Sequence, residues 1–131
     1  MITNYMIIGY GWRADFYYRI AKLLPERFSV CAGVLRTEER AKEVAHKEGV
    51  FATSDLDQAL ERKPDFAVLC VPRDVTKDYL VKLMKKGIPL LCETPPGKNV
   101  EELKELWEMS QKYNGRIITD IAHLRCCRQF T

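Results

Sequence analysis

The sequence predicts a doubly wound α/β domain built on a parallel sheet. Three observations carry this expectation. Short apolar runs alternate with amphipathic stretches of about ten to fifteen residues along the chain, the pattern of βαβ units. The first apolar run ends in Gly9-Tyr10-Gly11-Trp12-Arg13-Ala14, a glycine turn set between a strand and a helix. The 131 residues contain no internal repeat, no low-complexity stretch and no linker long enough to separate two domains.

Each element follows from local signals. Residues 4–9, apolar and bounded by glycine, read as a buried strand. A helix is expected over 12–24, ended near Pro25. Residues 28–34 read as the second strand. Thr37 is the expected N-cap of a helix running to about Lys47. Glu38 and Glu39 suit the positive end of its dipole, and Gly49 lies just past its end. Val50-Phe51-Ala52 reads as a short strand. Ser54 is the expected cap of a brief helix over 55–62, stopped before Pro64. Residues 65–71 are a strongly apolar strand ended by Pro72. A helix over 74–86 is followed by Gly87, and a strand over 89–93 by the loop Thr94-Pro95-Pro96-Gly97. Residues 100–113 read as an amphipathic helix with Val100, Leu103, Leu106 and Trp107 on one face. Asn114-Gly115 then turns into a last strand over 116–119. The crossovers between these parallel strands are expected to be right-handed.

Composition narrows the classes of partner. The chain is 47% hydrophobic and 30% charged, ordinary for a globular protein that buries a core. No apolar run approaches the ~20 residues of a membrane span, and no signal-peptide pattern is present. No membrane partner is therefore expected. The formal net charge is +3, with Lys and Arg dispersed among acidic residues, which argues against a nucleic-acid partner. Five cysteines (Cys31, Cys70, Cys92, Cys126 and Cys127) show no C-x-x-C spacing, and their odd number fits a disulfide framework poorly. They read as thiols in a reducing, cytoplasmic setting, with no structural metal.

The glycine turn carries the first functional signal. After a strand and before a helix, Gly9-x-Gly11-x-x-Ala14 is the dinucleotide-binding fingerprint of a Rossmann-type domain. Gly9 permits the tight turn, Gly11 lets the backbone approach a pyrophosphate, and Ala14 keeps helix and strand close. The helix N-terminus offers unpaired N–H groups and positive dipole charge to the phosphates. Tyr10 and Trp12 either cover the phosphates or simply pack, and Arg13 lies in the same turn. Further loops at the carboxyl ends of the strands complete the expected site: Leu35-Arg36-Thr37, Val71-Pro72-Arg73 and Glu93-Thr94-Pro95-Pro96.

The second loop bears on cofactor choice. An NAD-specific fold usually places Asp or Glu about 20 residues past the glycines, to hold the ribose 2′-hydroxyl. Leu35 stands there, followed by Arg36. A guanidinium pairs bidentately with a 2′-phosphate and stacks on adenine. Arg40 adds charge, and Thr37 offers a hydroxyl. NADP(H) is expected in preference to NAD(H), with NAD as the alternative.

Four stretches together resemble the nucleotide-binding domain of the glucose-fructose oxidoreductase / inositol dehydrogenase family (Gfo/Idh/MocA). They begin at Ile7-Ile8-Gly9-Tyr10-Gly11, Gly33-Val34-Leu35-Arg36-Thr37, Lys63-Pro64-Asp65-Phe66-Ala67 and Gly87-Ile88-Pro89-Leu90-Leu91. They occur in the family's order and spacing, over about residues 3–124. The resemblance implies a Rossmann unit over 1–120 and an oxidoreductase that transfers hydride between a nicotinamide and a sugar- or polyol-like substrate. It places Gly9, Gly11 and Ala14 at the pyrophosphate, and Arg36 and Thr37 beside the adenosine ribose. Val71, Pro72 and Arg73 border the cofactor, and Glu93 and Pro95 sit near the nicotinamide.

The chain departs from the family at two places. The usual motif is Glu-Lys-Pro, whose Lys assists proton transfer, but position 94 is Thr94. A neutral hydroxyl cannot replace an ammonium as proton donor. The family also continues into an α+β substrate domain, whereas residues 121–131 amount to a stub where that domain would begin. The isolated chain is expected to bind cofactor without efficient turnover, and to self-associate or associate through the surface the second domain would cover. Glu93, Thr94 and His123 are the candidate catalytic groups. His123 reads either as an acid–base group or as an ordinary side chain, while His46 is expected on the surface. The rival reading is a non-catalytic Rossmann module that binds a nucleotide or CoA in a regulatory or partner-binding role.

Overall fold

The computed structural model describes residues 1–93 and 96–120. Strands and helices alternate from the start: β1 (Thr3–Ile8), α1 (Trp12–Leu23), β2 (Phe28–Val34), α2 (Glu38–Glu48), β3 (Ala52–Thr53) and α3 (Leu56–Leu60). They continue as β4 (Phe66–Leu69), α4 (Arg73–Lys85), β5 (Leu90–Glu93), α5 (Val100–Lys112) and β6 (Ile117–Asp120). The strands form one sheet in the order β3-β2-β1-β4-β5-β6, every neighbouring pair parallel. The fold is thus the expected Rossmann-type α/β domain. The order runs outward in both directions from β1 and β4, so the switch point lies between their carboxyl ends.

The period of two along β1 divides the core. Tyr5 and Ile7 pack with Ala14 and Tyr18 of α1 and with Ala41 and Val44 of α2. Met6 and Ile8 pack on the opposite face, with Leu80, Leu83 and Met84 of α4 and Leu106 of α5. Each such leucine, fully withdrawn from water, contributes about 1.5–3 kcal/mol. An irregularity in the β1–β2 register, between Tyr5 and Met6, leaves Cys31 without a partner on β1. The extra residue exchanges the faces of β2: Val30 lies with the α1–α2 layer, but Ala32 and Val34 lie with the α4–α5 layer. Gly33 is thereby turned toward α1, where a Cβ would stand 2.6 Å from the Tyr18 hydroxyl.

The helix ends follow the expected chemistry with one exception. The Thr37 side chain caps α2 by accepting from the Arg40 N–H at 3.2 Å, and Gly49 ends the helix at φ 69°. At α3 the cap is Asp55, not Ser54: Asp55 Oδ1 accepts from the Asp57 N–H at 2.9 Å. Ser54 instead donates its hydroxyl and its N–H to the Glu38 carboxylate, tying the end of β3 to the start of α2. Those two hydrogen bonds hold the Glu38 carboxyl below its usual range. The third strand also starts later than expected, at Ala52, because its ladder with β2 begins at the pair Gly33–Ala52.

Of the expected apolar face of α5 only Leu106 is buried. Val100, Leu103 and Trp107 are exposed, Trp107 at 67%. The helix packs through Leu106, Met109 and the following Tyr113, about a quarter turn away. Its N-terminus is closed by a cap. Asn99 Oδ1 accepts from the Glu102 N–H, and Glu102 Oε2 accepts from the Lys98 N–H. This reciprocal cap turns Glu102 toward Gly97, where an added Cβ would stand 3.2 Å from the Glu102 Cβ.

Candidate functional site

Three backbone hydrogen bonds bring the carboxyl ends of the central strands level. Gly9 N–H donates to Val34 O, Cys70 N–H to Ile8 O and Leu35 N–H to Thr53 O, at 2.8–2.9 Å. Above them opens a cavity of about 410 Å³. Its walls include Gly9 and Tyr10 from the glycine turn, Leu35 and Arg36 after β2, and Arg40 one turn into α2. Val71 and Pro72 close it after β4, together with Asp74, Val75 and Tyr79 of α4.

Gly9 and Gly11 serve the turn for different reasons. Gly9 adopts φ 100°, and a Cβ there would collide with the Cys70 carbonyl, 2.8 Å from its carbon. No other residue fits the approach of β1 to β4 at that point. Gly11 is in extended backbone, with nothing within 4 Å of a built Cβ. It is the N-cap of α1 and makes no side-chain cap, so no side chain competes for the first N–H groups of the helix. Ala14 is fully buried against the sheet. An open approach above a helix start fits the pyrophosphate of a dinucleotide.

The other residues expected at the site separate by position. Arg36 and Arg40 line the cavity, both exposed, with Arg40 paired to Glu43 at 2.7 Å. Thr37 is engaged as the α2 cap, and Arg73 opens α4 on the surface. Arg13 reaches the other way, to Glu93 Oε1 at 2.8 Å, which joins the start of α1 to the end of β5. Its guanidinium also lies 4.7 Å from the Trp12 ring centroid, and Trp12 is 71% exposed. Thr94, Pro95 and His123 fall outside the described residues, as do Cys126 and Cys127. His46 is exposed.

Sequence reasoning missed six lining residues: Ile8, Val34, Cys70, Asp74, Val75 and Tyr79. Asp74 and Val75 were findable, because the loop after β4 leads into the first turn of α4 at the same sheet edge. Glu48 gave no such sign. This last residue of α2 is an acid whose side chain is 3% exposed. Its Oε1 accepts from the Tyr10 hydroxyl at 2.9 Å, and its Oε2 is paired to Lys22 of α1. Burial pushes the carboxyl up, but the Lys22 and Tyr10 hydrogen bonds and the charges of Lys22 and Lys47 outweigh it. The group is held below its ordinary value.

Among the described residues no group of His, Cys, Asp or Glu is arranged to hold a metal ion, and no helix is long and apolar enough to cross a membrane. No disulfide joins the described cysteines.

Comparison with known proteins agrees with this geometry. The Gfo/Idh/MocA family model, described as an oxidoreductase family with an NAD-binding Rossmann fold, matches residues 3–120. The chain is 31% identical over 121 residues to scyllo-inositol 2-dehydrogenase (NADP(+)) IolU of Bacillus subtilis, covering 91% of this chain and 36% of that protein. The fold is shared with a putative NADPH-dependent oxidoreductase of Desulfitobacterium hafniense at TM-score 0.82 and 14% identity, over 95% of this chain and 36% of the other. It is shared also with the WlbA dehydrogenase of Chromobacterium violaceum, solved with NADH and UDP-GlcNAcA, at TM-score 0.79 and 14% identity, over 90% and 34%. The chain thus spans about a third of the length of the curated relatives it matches. A glycine turn on a Rossmann sheet, matched over nearly the whole chain, identifies it as an NAD(P)-binding oxidoreductase domain of the Gfo/Idh/MocA family.

Proposed function

We propose that the chain binds NADP(H) in the cavity at the switch point, as part of an oxidoreductase acting on a sugar- or polyol-like alcohol or carbonyl. The observation that carries this reading is the pair Arg36 and Arg40 on the cavity wall, with Leu35 where an NAD-specific fold has a carboxylate. The NADP(+) named for the IolU relative supports it. Gly9, Gly11 and Ala14 would hold the pyrophosphate, Arg36, Thr37 and Arg40 the 2′-phosphate and ribose, and Pro72 and Arg73 the border of the ring system. The bound cofactor supplies the hydride; the chain orients it and supplies electrostatics.

Residues 1–120 form the dinucleotide-binding unit in this reading, and 121–131 begin the segment that leads toward a substrate domain. The 131-residue polypeptide alone binds cofactor without efficient turnover, because the neutral Thr94 hydroxyl is too weak an acid, and lacks the charge, to take the place of the family's Lys. Dehydrogenase activity of this polypeptide across a panel of polyols and sugars would overturn that statement. Its exposed Trp12, Phe16, Ile20 and Leu23 along α1 favour self-association. The thiols suit a cytoplasmic setting.

Thr94 also favours a second reading, a non-catalytic module that binds a nucleotide or CoA. Thermal shifts with NADP, NAD and CoA separate the two. A ligand at 100 times its dissociation constant adds about 2.7 kcal/mol to stability. The proposal expects NADP to give the largest shift; a larger shift with CoA would favour the module.

A further inference from the structure

We propose that Glu48 is a positioning residue for the adenosine end of the cavity, acting through Tyr10 on Arg40. The role rests on the NADP reading above. Glu48 does not line the cavity, yet its placement is unfavourable twice over. It is buried, and it ends α2, where the helix dipole opposes a negative charge. Two groups offset that cost: Lys22 from α1 and the phenol of Tyr10 from the glycine turn.

Tyr10 is the link. Its hydroxyl is fixed by Glu48, and its ring packs edge-on against Tyr18, with centroids 5.8 Å apart at 66°. The same ring carries two cations, the Arg40 guanidinium at 5.8 Å and the Lys47 ammonium at 5.3 Å from its centroid. Tyr10 and Arg40 both face the cavity. A buried carboxylate thus fixes an aromatic platform, and the platform, together with the Glu43 carboxylate at 2.7 Å, restrains the exposed arginine that would meet a 2′-phosphate. An acid at position 48 that only stabilised the fold would act on every ligand alike. A positioning residue acts on the ligand that uses Arg40.

The test is the dissociation constants of NADP+ and NAD+ for the 131-residue chain and four variants: Glu48→Ala, Glu48→Gln, Tyr10→Phe and the Glu48→Ala/Tyr10→Phe double. Glu48→Ala and Tyr10→Phe keep the ring but release it from Glu48, and an Arg40 cation–π contact no longer held in place weakens NADP+ binding by up to about three- to fivefold. Glu48→Ala and Tyr10→Phe should each show that loss, with a smaller change for NAD+, so that the NADP/NAD ratio falls. The double variant should be no weaker than either single one. Glu48→Gln keeps an acceptor for the phenol and should recover most of the affinity. If Glu48→Ala does not fold, Tyr10→Phe carries the test by itself. Equal losses for both cofactors, no loss, or additive losses in the double variant would overturn the positioning role. Arg36→Ala reads the cofactor assignment separately. If only that variant loses NADP+ affinity, the positioning role falls and the NADP reading stands. If the parent chain shows no NADP preference, the reading falls and the positioning role falls with it.

Discussion

Replacing Gly9 and Gly11 one at a time by alanine should give opposite results, although both belong to one motif. At Gly9 the backbone sits at φ 100°, a conformation that costs an L-residue about 1–2 kcal/mol. The new methyl would also overlap the Cys70 carbonyl, so the end of β4 must move. Overpacking of this kind costs about 1–3 kcal/mol. Gly9→Ala should therefore lose about 2–5 kcal/mol of folding stability, a drop in Tm of about 10 °C or more for a domain of this size. At Gly11 the backbone is extended and a Cβ meets nothing within 4 Å. Gly11→Ala should cost under about 1 kcal/mol, the ordinary penalty for alanine at an N-cap. Its methyl would project into the approach above α1, so it should keep the fold and lose dinucleotide affinity. Urea unfolding gives the stabilities and titration calorimetry gives the affinities. Gly9→Ala within about 0.5 kcal/mol of the parent, or Gly11→Ala as the less stable of the two, would refute this reasoning.

Further outcomes follow from the buried polar groups. The Tyr18 hydroxyl is buried without a hydrogen-bond partner among the described residues, and burial raises its pKa. Tyr18→Phe should therefore leave urea-unfolding stability unchanged or higher by up to about 1 kcal/mol. Gly33→Ala should destabilise, since its methyl would press on that hydroxyl at 2.6 Å. Tyr18→Phe should relieve part of the cost, a coupling that a double-mutant cycle detects. The Glu48 carboxyl, depressed in the fold, stabilises fully above its unfolded value of about 4.3 and loses that contribution as pH falls through the lower folded value. Glu48→Gln should be less stable by about 1–3 kcal/mol at pH 7, and its stability should decline less steeply below pH 4.

The sheet and the site were legible from the chain to different depths. Alternating periods of two and near 3.6 gave the elements, and the glycine turn gave the edge of the sheet where the cavity opens. Capping signals at Thr37 and Gly49 are local, so they were readable residue by residue. Ser54 misled because two neighbouring residues, Ser54 and Asp55, can both cap. The choice depends on Glu38, sixteen residues away in sequence, which draws the serine to itself. The buried face of α5 was misjudged because Val100, Leu103 and Trp107 make an apolar stripe that the domain does not bury. The packing of Leu106 and Met109 against the sheet and α4 sets the rotation of the helix, and these are contacts between elements. The same reason hid Glu48. Nothing in its own segment marks an acid as buried; only the meeting of α1, α2 and the glycine turn does.

The central claim is that Arg36, with Leu35 in place of an acid, selects NADP(H). It is tested most directly by titrating NADP+ and NAD+ into the parent chain and into Arg36→Ala under the same salt. The claim predicts tighter NADP+ binding to the parent, by about tenfold for a charge-assisted pair at a partly exposed site. Arg36→Ala should lose most of that margin, while its NAD+ affinity barely moves. Equal affinities, or tighter binding of NAD+ to the parent, would contradict it.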